Sequence, residues 1–185
     1  MSRPQIEQSK KIDGLMLLTP SVYEDLRGEF AATYTERDYV FYDSTGQRIV
    51  FLEDDLAVSR YSVLRGLHGD KLTWKLIQCV AGEAYFVAAD MRRTSSTYLN
   101  WEAFMLTESN HRQVLVPAGC ASGMQCISSR CTIAYKQSRL YESADHQFSV
   151  RWDEPRLAIY WPISNPILSE RDRTAPYLTQ HTLIE

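Results

Sequence analysis

Residues 63–70 read V-L-R-G-L-H-G-D, setting an arginine and a histidine three positions apart around a glycine. Histidine titrates near neutrality (about 6.5), so His68 suits general acid–base work, although a lone histidine is more often structural or exposed. On an unbroken strand Arg65 and His68 would point to opposite faces, whereas a bend at Gly66 would bring both to one pocket. A catalytic iron or zinc centre takes two imidazoles and a carboxylate as its usual minimum. Position 70 is Asp70 and the other histidines stand at 111, 146 and 181, so no metal is expected. Lys75, between Trp74 and Leu76, is either a snorkelling edge lysine or, pointing inward, a fixed charge for an oxyanion. Tyr135 should share a strand face with Cys131 and Ile133, opposite Thr132, Ala134 and Lys136. That makes it a core tyrosine or a hydroxyl in a ligand cavity. By themselves, Arg27 in D-L-R-G-E-F and Asp172 in S-E-R-D-R read as a turn arginine and a solvated charge cluster.

The elements that must position these groups are short and β-like. Strands are expected over residues 13–19, 29–34, 57–64, 74–80, 84–90, 113–117 and 131–137, rich in Val, Tyr, Phe and Thr and separated by turn residues. Ala81-Gly82-Glu83 reads as a hairpin turn. Short helices are expected at 36–42 (ERDYVFY) and 169–174 (SERDRT). Closely spaced strands of this kind indicate a sandwich or barrel. Composition does not shift along the chain, so residues 1–185 read as one domain.

The chain has 185 residues, 44% apolar and 23% charged, with a formal net charge of −3, which is ordinary for a globular protein able to bury its own core. No basic stripe points to nucleic acid or an anionic membrane, so a phosphate-bearing ligand must be held by a few local cations. The N-terminus lacks the apolar core of a signal peptide and no run could span a bilayer, which points to the cytoplasm. The four cysteines, at 79, 120, 126 and 131, have no C-x-x-C pair and are expected as free thiols.

Eight motifs occur in order: D-L-R-G-E-F at 25–30, V-L-R-G-L-H at 63–68, K-L-I-Q-C-V-A-G-E at 75–83, V-A-A-D-M-R at 87–92, V-P-A-G at 116–119, A-Y-K at 134–136, R-W-D-E-P at 151–155 and P-I-L-S-E-R-D at 166–172. Over residues 14–178 the chain resembles the dTDP-4-dehydrorhamnose 3,5-epimerase family. The resemblance implies an all-β fold, a cupin-type double-stranded β-helix (jelly-roll) barrel with a few short helices. It implies a homodimer acting on nucleoside-diphosphate 4-keto-6-deoxy sugars without metal, nicotinamide or other cofactor. It implies His68 as general base, Asp172 as the carboxylate orienting it, Tyr135 as the acid on the opposite face and Lys75 as the cation near the C4 oxygen. Arg65 and Arg27 fall at positions near the diphosphate and sugar, and Phe30 at a nucleotide-contacting position, with part of each site supplied by the neighbouring subunit.

Two departures from the family pattern bear on substrate. Ser122 stands where the family commonly has a histidine, leaving inversion at C3, C5 or both open. Glu53-Asp54-Asp55 stands where thymidine-using members carry an amide-rich Q-D-N. Carboxylates accept hydrogen bonds, and guanine offers a donor pair, so Glu53 and Asp55 suggest a GDP-linked sugar, with CDP and dTDP as alternatives. Gly69-Asp70 and the shortened connection from His68 to Lys75 resemble epimerases of GDP-linked 6-deoxy-heptoses. The rival readings are a sugar-nucleotide ketoisomerase on the same scaffold and a non-catalytic cupin that binds a nucleotide sugar.

Overall fold

Apolar side chains alternate along the central strands, and each alternate set has its own layer to fill. The computed structural model describes residues 3–178. In chain order the strands are β1 (Gln5–Gln8), β2 (Met16–Thr19), β3 (Val22–Asp25), β4 (Gly28–Ala31), β5 (Glu53–Arg60), β6 (Leu64–Gly69), β7 (Lys75–Ala81), β8 (Glu83–Asp90), β9 (Trp101–Thr107), β10 (Gln113–Val116), β11 (Cys120–Cys126), β12 (Arg130–Gln137) and β13 (Phe148–Ser149); a short helix, α1 (Glu170–Thr174), follows. They form a six-stranded sheet in the order β1-β2-β10-β7-β12-β5, a five-stranded sheet in the order β13-β6-β11-β8-β9, and a separate β3–β4 hairpin.

Ile77, Val114 and Ile133 from the first sheet meet Phe86, Ala88 and Met124 from the second in one buried cluster, so the two sheets enclose a common core. The alternate residues face outward but are not left bare. Leu76 and Leu115 are covered by Tyr39, Phe41 and Ile49. Val87, Ala89 and Ala121 are covered by Val150, Leu157 and Trp161 from the C-terminal region. Each leucine, isoleucine, valine or phenylalanine so withdrawn from water contributes about 1.5–3 kcal/mol, which explains why strands apolar on both faces are stable here.

The all-β architecture and the 170–174 helix agree with the sequence reading, and the four cysteines are buried free thiols. Three local expectations are corrected. Residues 36–38 form a turn, not a helix. Thr35 Oγ1 donates to Asp38 Oδ2 at 2.9 Å, the Tyr39 N–H closes on the Thr35 carbonyl, and the chain then extends so that Tyr39 and Phe41 both reach the core. The extended stretch at 57–64 is divided between sheets: β5 ends at Arg60 and β6 begins at Leu64, with Ser62 at φ +69° between them. Gly82 does not close a hairpin, because β7 pairs with β10 and β12 whereas β8 pairs with β9 and β11. The turn carries the chain from one sheet to the other.

Strands β9 and β11 lie outside the expected set. β11 reads C-A-S-G-M-Q-C, small and polar residues that carry little strand signal, yet it is the strand beside β6. Among the described residues no helix is long and apolar enough to cross a membrane.

Candidate active site

Strand β6 carries the bend that the spacing of Arg65 and His68 requires. In the pairing with β11, Ser122 lies opposite His68 and Met124 opposite Arg65, so three steps on β6 span two on β11. One extra residue reverses the alternation and turns Arg65 and His68 toward the same side. Gly66, at φ +126°, makes this bulge: a Cβ there would sit 2.5 Å from the Gly123 Cα and 2.8 Å from the Ser122 carbonyl oxygen, so only glycine fits.

Both side chains line a cavity of about 620 Å³ between the sheets, together with Lys75, Ser122, Tyr135 and Asp172. His68 Nε2 lies 2.6 Å from Asp172 Oδ1. Helix α1 presents the carboxylate: Ser169 caps the helix by accepting the Asp172 N–H at 3.1 Å, and its hydroxyl donates to Asp172 Oδ2 at 2.7 Å. Burial pushes the Asp172 carboxyl up, but the hydrogen bonds from His68 and Ser169 outweigh it and hold the group below its usual range. The residue is 2% exposed, so its charge is compensated inside the protein.

Tyr135 comes from β12, in the opposite sheet, and faces His68 across the cavity. Its face is the one shared with Ile133 and Cys131, while Lys136 on the other face pairs with Asp54. Burial, then the neighbouring Asp55 carboxylate, raise the phenol above its ordinary value, so it stays protonated at neutral pH. Lys75, at the start of β7, points into the same cavity, where burial lowers its ammonium pKa and the charge of Arg171 lowers it further against the opposing pull of Asp70 and Asp55. Arg65 donates to Ser59 Oγ at 3.0 Å and to the Val58 carbonyl at 3.1 Å, neutral partners that leave its charge uncompensated.

Glu53 and Asp55 also line the cavity, on the β5 wall beside Tyr135. Glu53 accepts the Tyr141 N–H at 2.6 Å and Asp55 accepts from Gln137 Nε2 at 2.9 Å, so each carboxylate already has an internal partner. Arg27 and Phe30 are not brought to the cavity of their own chain. Arg27 binds Asp25 at 2.6 Å and Phe30 is 59% exposed, both on the β3–β4 hairpin. Residues outside the sequence-based set are Arg171, Gln147, Tyr141 and Phe86, all lining the cavity. The adjacency of Arg171 to Asp172 was the one available signal, since side chains at a helix start facing one carboxylate pair share its surroundings. Among the described residues no group of three or more His, Cys, Asp or Glu side chains is arranged to hold a metal ion.

A base with its carboxylate on one wall, and a protonated phenol and a lysine on the other, can move protons on opposite faces of a bound ring. Residues 9–180 match the family model described as dTDP-4-dehydrorhamnose 3,5-epimerase. The chain belongs to the dTDP-4-dehydrorhamnose 3,5-epimerase family. A curated member from Salmonella typhimurium is 35% identical over 178 residues, covering 94% of this chain and 96% of that protein. The family's epimerase from Bacillus anthracis, solved with TDP and PPi bound, is 35% identical with a TM-score of 0.86 over 95% of this chain and 99% of the other. A 3,5-epimerase from Legionella pneumophila, solved with dTDP-4-keto-L-rhamnose, is 32% identical with a TM-score of 0.86, covering 95% of this chain and 93% of the other. The barrel is thus of the cupin type found in these epimerases, and the chain is an isomerase of the epimerase class.

Proposed function

We propose that the protein inverts C3, C5 or both in a nucleoside-diphosphate 4-keto-6-deoxy sugar, with thymidine diphosphate as the carrier, and that it works as a homodimer in the cytoplasm. The observation that carries the reading is the His68–Asp172 pair facing Tyr135 across one cavity, which Lys75 also lines. The C4 ketone acidifies the hydrogens on its neighbouring carbons. With Nε2–H donated to Asp172, His68 keeps a lone pair on Nδ1 for the departing proton, and Asp172 supports the imidazolium that forms. The electron pair left on carbon moves to the C4 oxygen, where Lys75 supplies a preorganised charge. Tyr135 returns a proton from the other face, and the configuration at that carbon is inverted. Arg65, whose partners are neutral, is the cation for the diphosphate.

Thymidine is favoured over guanosine on two counts. The related enzymes are named for dTDP sugars or carry thymidine ligands. The complementarity of Glu53 and Asp55 to guanine requires open carboxylates, and each is engaged by its own wall. The test is incubation in D₂O with 4-keto-6-deoxy sugars linked to dTDP, GDP, CDP and UDP, with NMR reading deuterium at C3 and C5. Uptake at either carbon, fastest with the dTDP sugar, is expected. A shifted carbonyl would indicate a ketoisomerase, fastest uptake with GDP would restore the guanine reading, and no uptake with any sugar would leave only a binder.

A further inference from the structure

Helix α1 cannot hold itself in place. It is five residues long, and helices that short are not stable on their own, so the position of Asp172 is set by what grips the chain on either side. On the entry side the Leu64 N–H donates to the Ile167 carbonyl and the Ile167 N–H to the Ser62 carbonyl, both at 3.0 Å, which ties the chain to the start of β6. On the exit side the grip comes from the turn at 151–154. Arg151 Nη1 donates to the Arg173 carbonyl at 2.8 Å, one of the carbonyls that a helix end leaves unpaired. The Arg151 N–H donates to the Pro176 carbonyl at 3.0 Å, and its guanidinium lies 4.8 Å from the centre of the Tyr177 ring. Glu154, 2% exposed, accepts the Leu178 N–H at 2.6 Å.

The turn is fixed in its turn to the strand that carries the base. Val150 and Leu67 exchange both backbone hydrogen bonds, at 3.0 and 3.1 Å, and Leu67 directly precedes His68. Arg151 Nε donates to Asp153 Oδ1 at 2.8 Å, which orients the rest of the guanidinium toward the end of α1. Arg151 and Glu154 lie outside the lining of the catalytic cavity, so neither has substrate to touch. We propose that Arg151 and Glu154 are positioning residues of the reaction, clamping the exit of α1 to the turn fixed on Leu67 and thereby holding the Asp172 carboxylate 2.6 Å from His68 Nε2. Such a bond weakens steeply with misalignment, and a displacement of about 1 Å is enough to cost much of a rate. Arg151 is the better probe of the two, because it is only partly buried, whereas Glu154 is sealed in and its loss would also strip partners from buried amides.

This rests on the epimerase reading, and two readouts keep the clamp and that reading apart. Deuterium uptake at saturating dTDP-4-keto-6-deoxy sugar gives kcat for enolisation, with dTDP titration giving nucleotide affinity. The second readout needs no substrate: an imidazole N–H donated to a carboxylate gives a far-downfield proton resonance, which His68→Asn identifies by its disappearance. Arg151→Met keeps the stem against Tyr177 and removes the donors. It is expected to slow uptake roughly 10- to 100-fold, to change dTDP affinity less than about twofold, and to abolish the His68 resonance. Arg151→Lys, which restores a donor, is expected to recover most of the rate and the resonance. In Asp172→Ala no carboxylate is left to place, so adding Arg151→Met should slow uptake by less than about twofold more. Losses that multiply in the double variant, or a slowed rate with the resonance intact, would overturn the proposal. Unchanged rate and resonance would overturn it too, as would weakened dTDP binding at unchanged kcat. No uptake by the unsubstituted protein would remove the epimerase reading, and the resonance alone would then decide the clamp.

Discussion

Asp172 is a carboxylate almost sealed from water, and it is tolerable there only because His68 and Ser169 supply hydrogen bonds to both oxygens. Its pKa is lowered in the fold, so it contributes stability above the ordinary carboxyl value of 3.8, and that contribution is lost as pH falls through the lower folded value. Asp172→Asn should therefore cost about 1–3 kcal/mol at pH 7 in urea titrations, with the difference from the unsubstituted protein shrinking below pH 3.8. His68→Asn should reduce turnover by roughly a thousandfold or more with the fold retained by circular dichroism; turnover within tenfold of normal would take His68 out of the base role. At this scale the sequence disclosed residue types better than partners. His68, Lys75 and Tyr135 are types suited to proton transfer, each with a structural reading left open by the sequence, whereas Asp172 in S-E-R-D-R looks solvated, and only the docking of α1 against β6 makes it a buried partner. Arg171 was hidden in the same charge cluster. Glu53 and Asp55 misled because their internal donors, the Tyr141 N–H and the Gln137 amide, come from β12 and its following loop, which no local pattern announces.

Strand β6 converts a sequence spacing into a site. The three-residue interval between Arg65 and His68 would place them on opposite faces of an ideal strand, and the bulge at Gly66 corrects it. Gly66→Ala should be destabilising by at least about 2 kcal/mol, because φ +126° is disfavoured for any side chain and the added Cβ would overlap Gly123 and Ser122. Thermal denaturation checks the stability, and a loss of activity exceeding the loss of folded protein would show that β6 relaxes toward regular alternation. The need for a bend was readable from the glycine between Arg65 and His68. The path of its neighbour β11 was not, since C-A-S-G-M-Q-C is selected for close approach and small volume and not for strand propensity. The helix expected at 36–42 failed for a related reason: Tyr39-Val40-Phe41-Tyr42 is a continuous apolar run, and an extended chain buries Tyr39 and Phe41 while leaving Val40 and Tyr42 exposed.

For the whole molecule, the β3–β4 hairpin stands apart from both sheets. It exposes Val22, Tyr23, Leu26 and Phe30 and is tied to the body by the 2.7 Å hydrogen bond between Glu29 and His111. Apolar residues exposed along an arm are costly in water and suit a partner surface. In the proposed homodimer this arm would reach the neighbouring cavity, which gives Arg27 and Phe30 their roles. Light scattering after size exclusion should report a mass near twice that of the chain, and Phe30→Ala should weaken substrate binding about tenfold at concentrations where the dimer persists. A fully active monomer would refute the arrangement. That quaternary contribution cannot be read from the chain's own patterning, because Arg27 spends its charge on Asp25 within the single subunit.

The hydrogen bond between His68 and Asp172 joins positions 104 residues apart. During synthesis, the strand bearing His68 emerges long before its carboxylate, so a nascent chain can hold most of its sheets while lacking any oriented base. The same order applies in reverse when the protein is stressed. Helix α1 is five residues long and the sheets are extensive, so α1 is able to detach at a lower free energy than the sheets open. In rising urea, enzymatic turnover should disappear before the far-ultraviolet signal of the β-structure does, and both should return together on dilution. Coincident loss of the two signals would instead make the closing of the catalytic pair inseparable from the folding of the barrel.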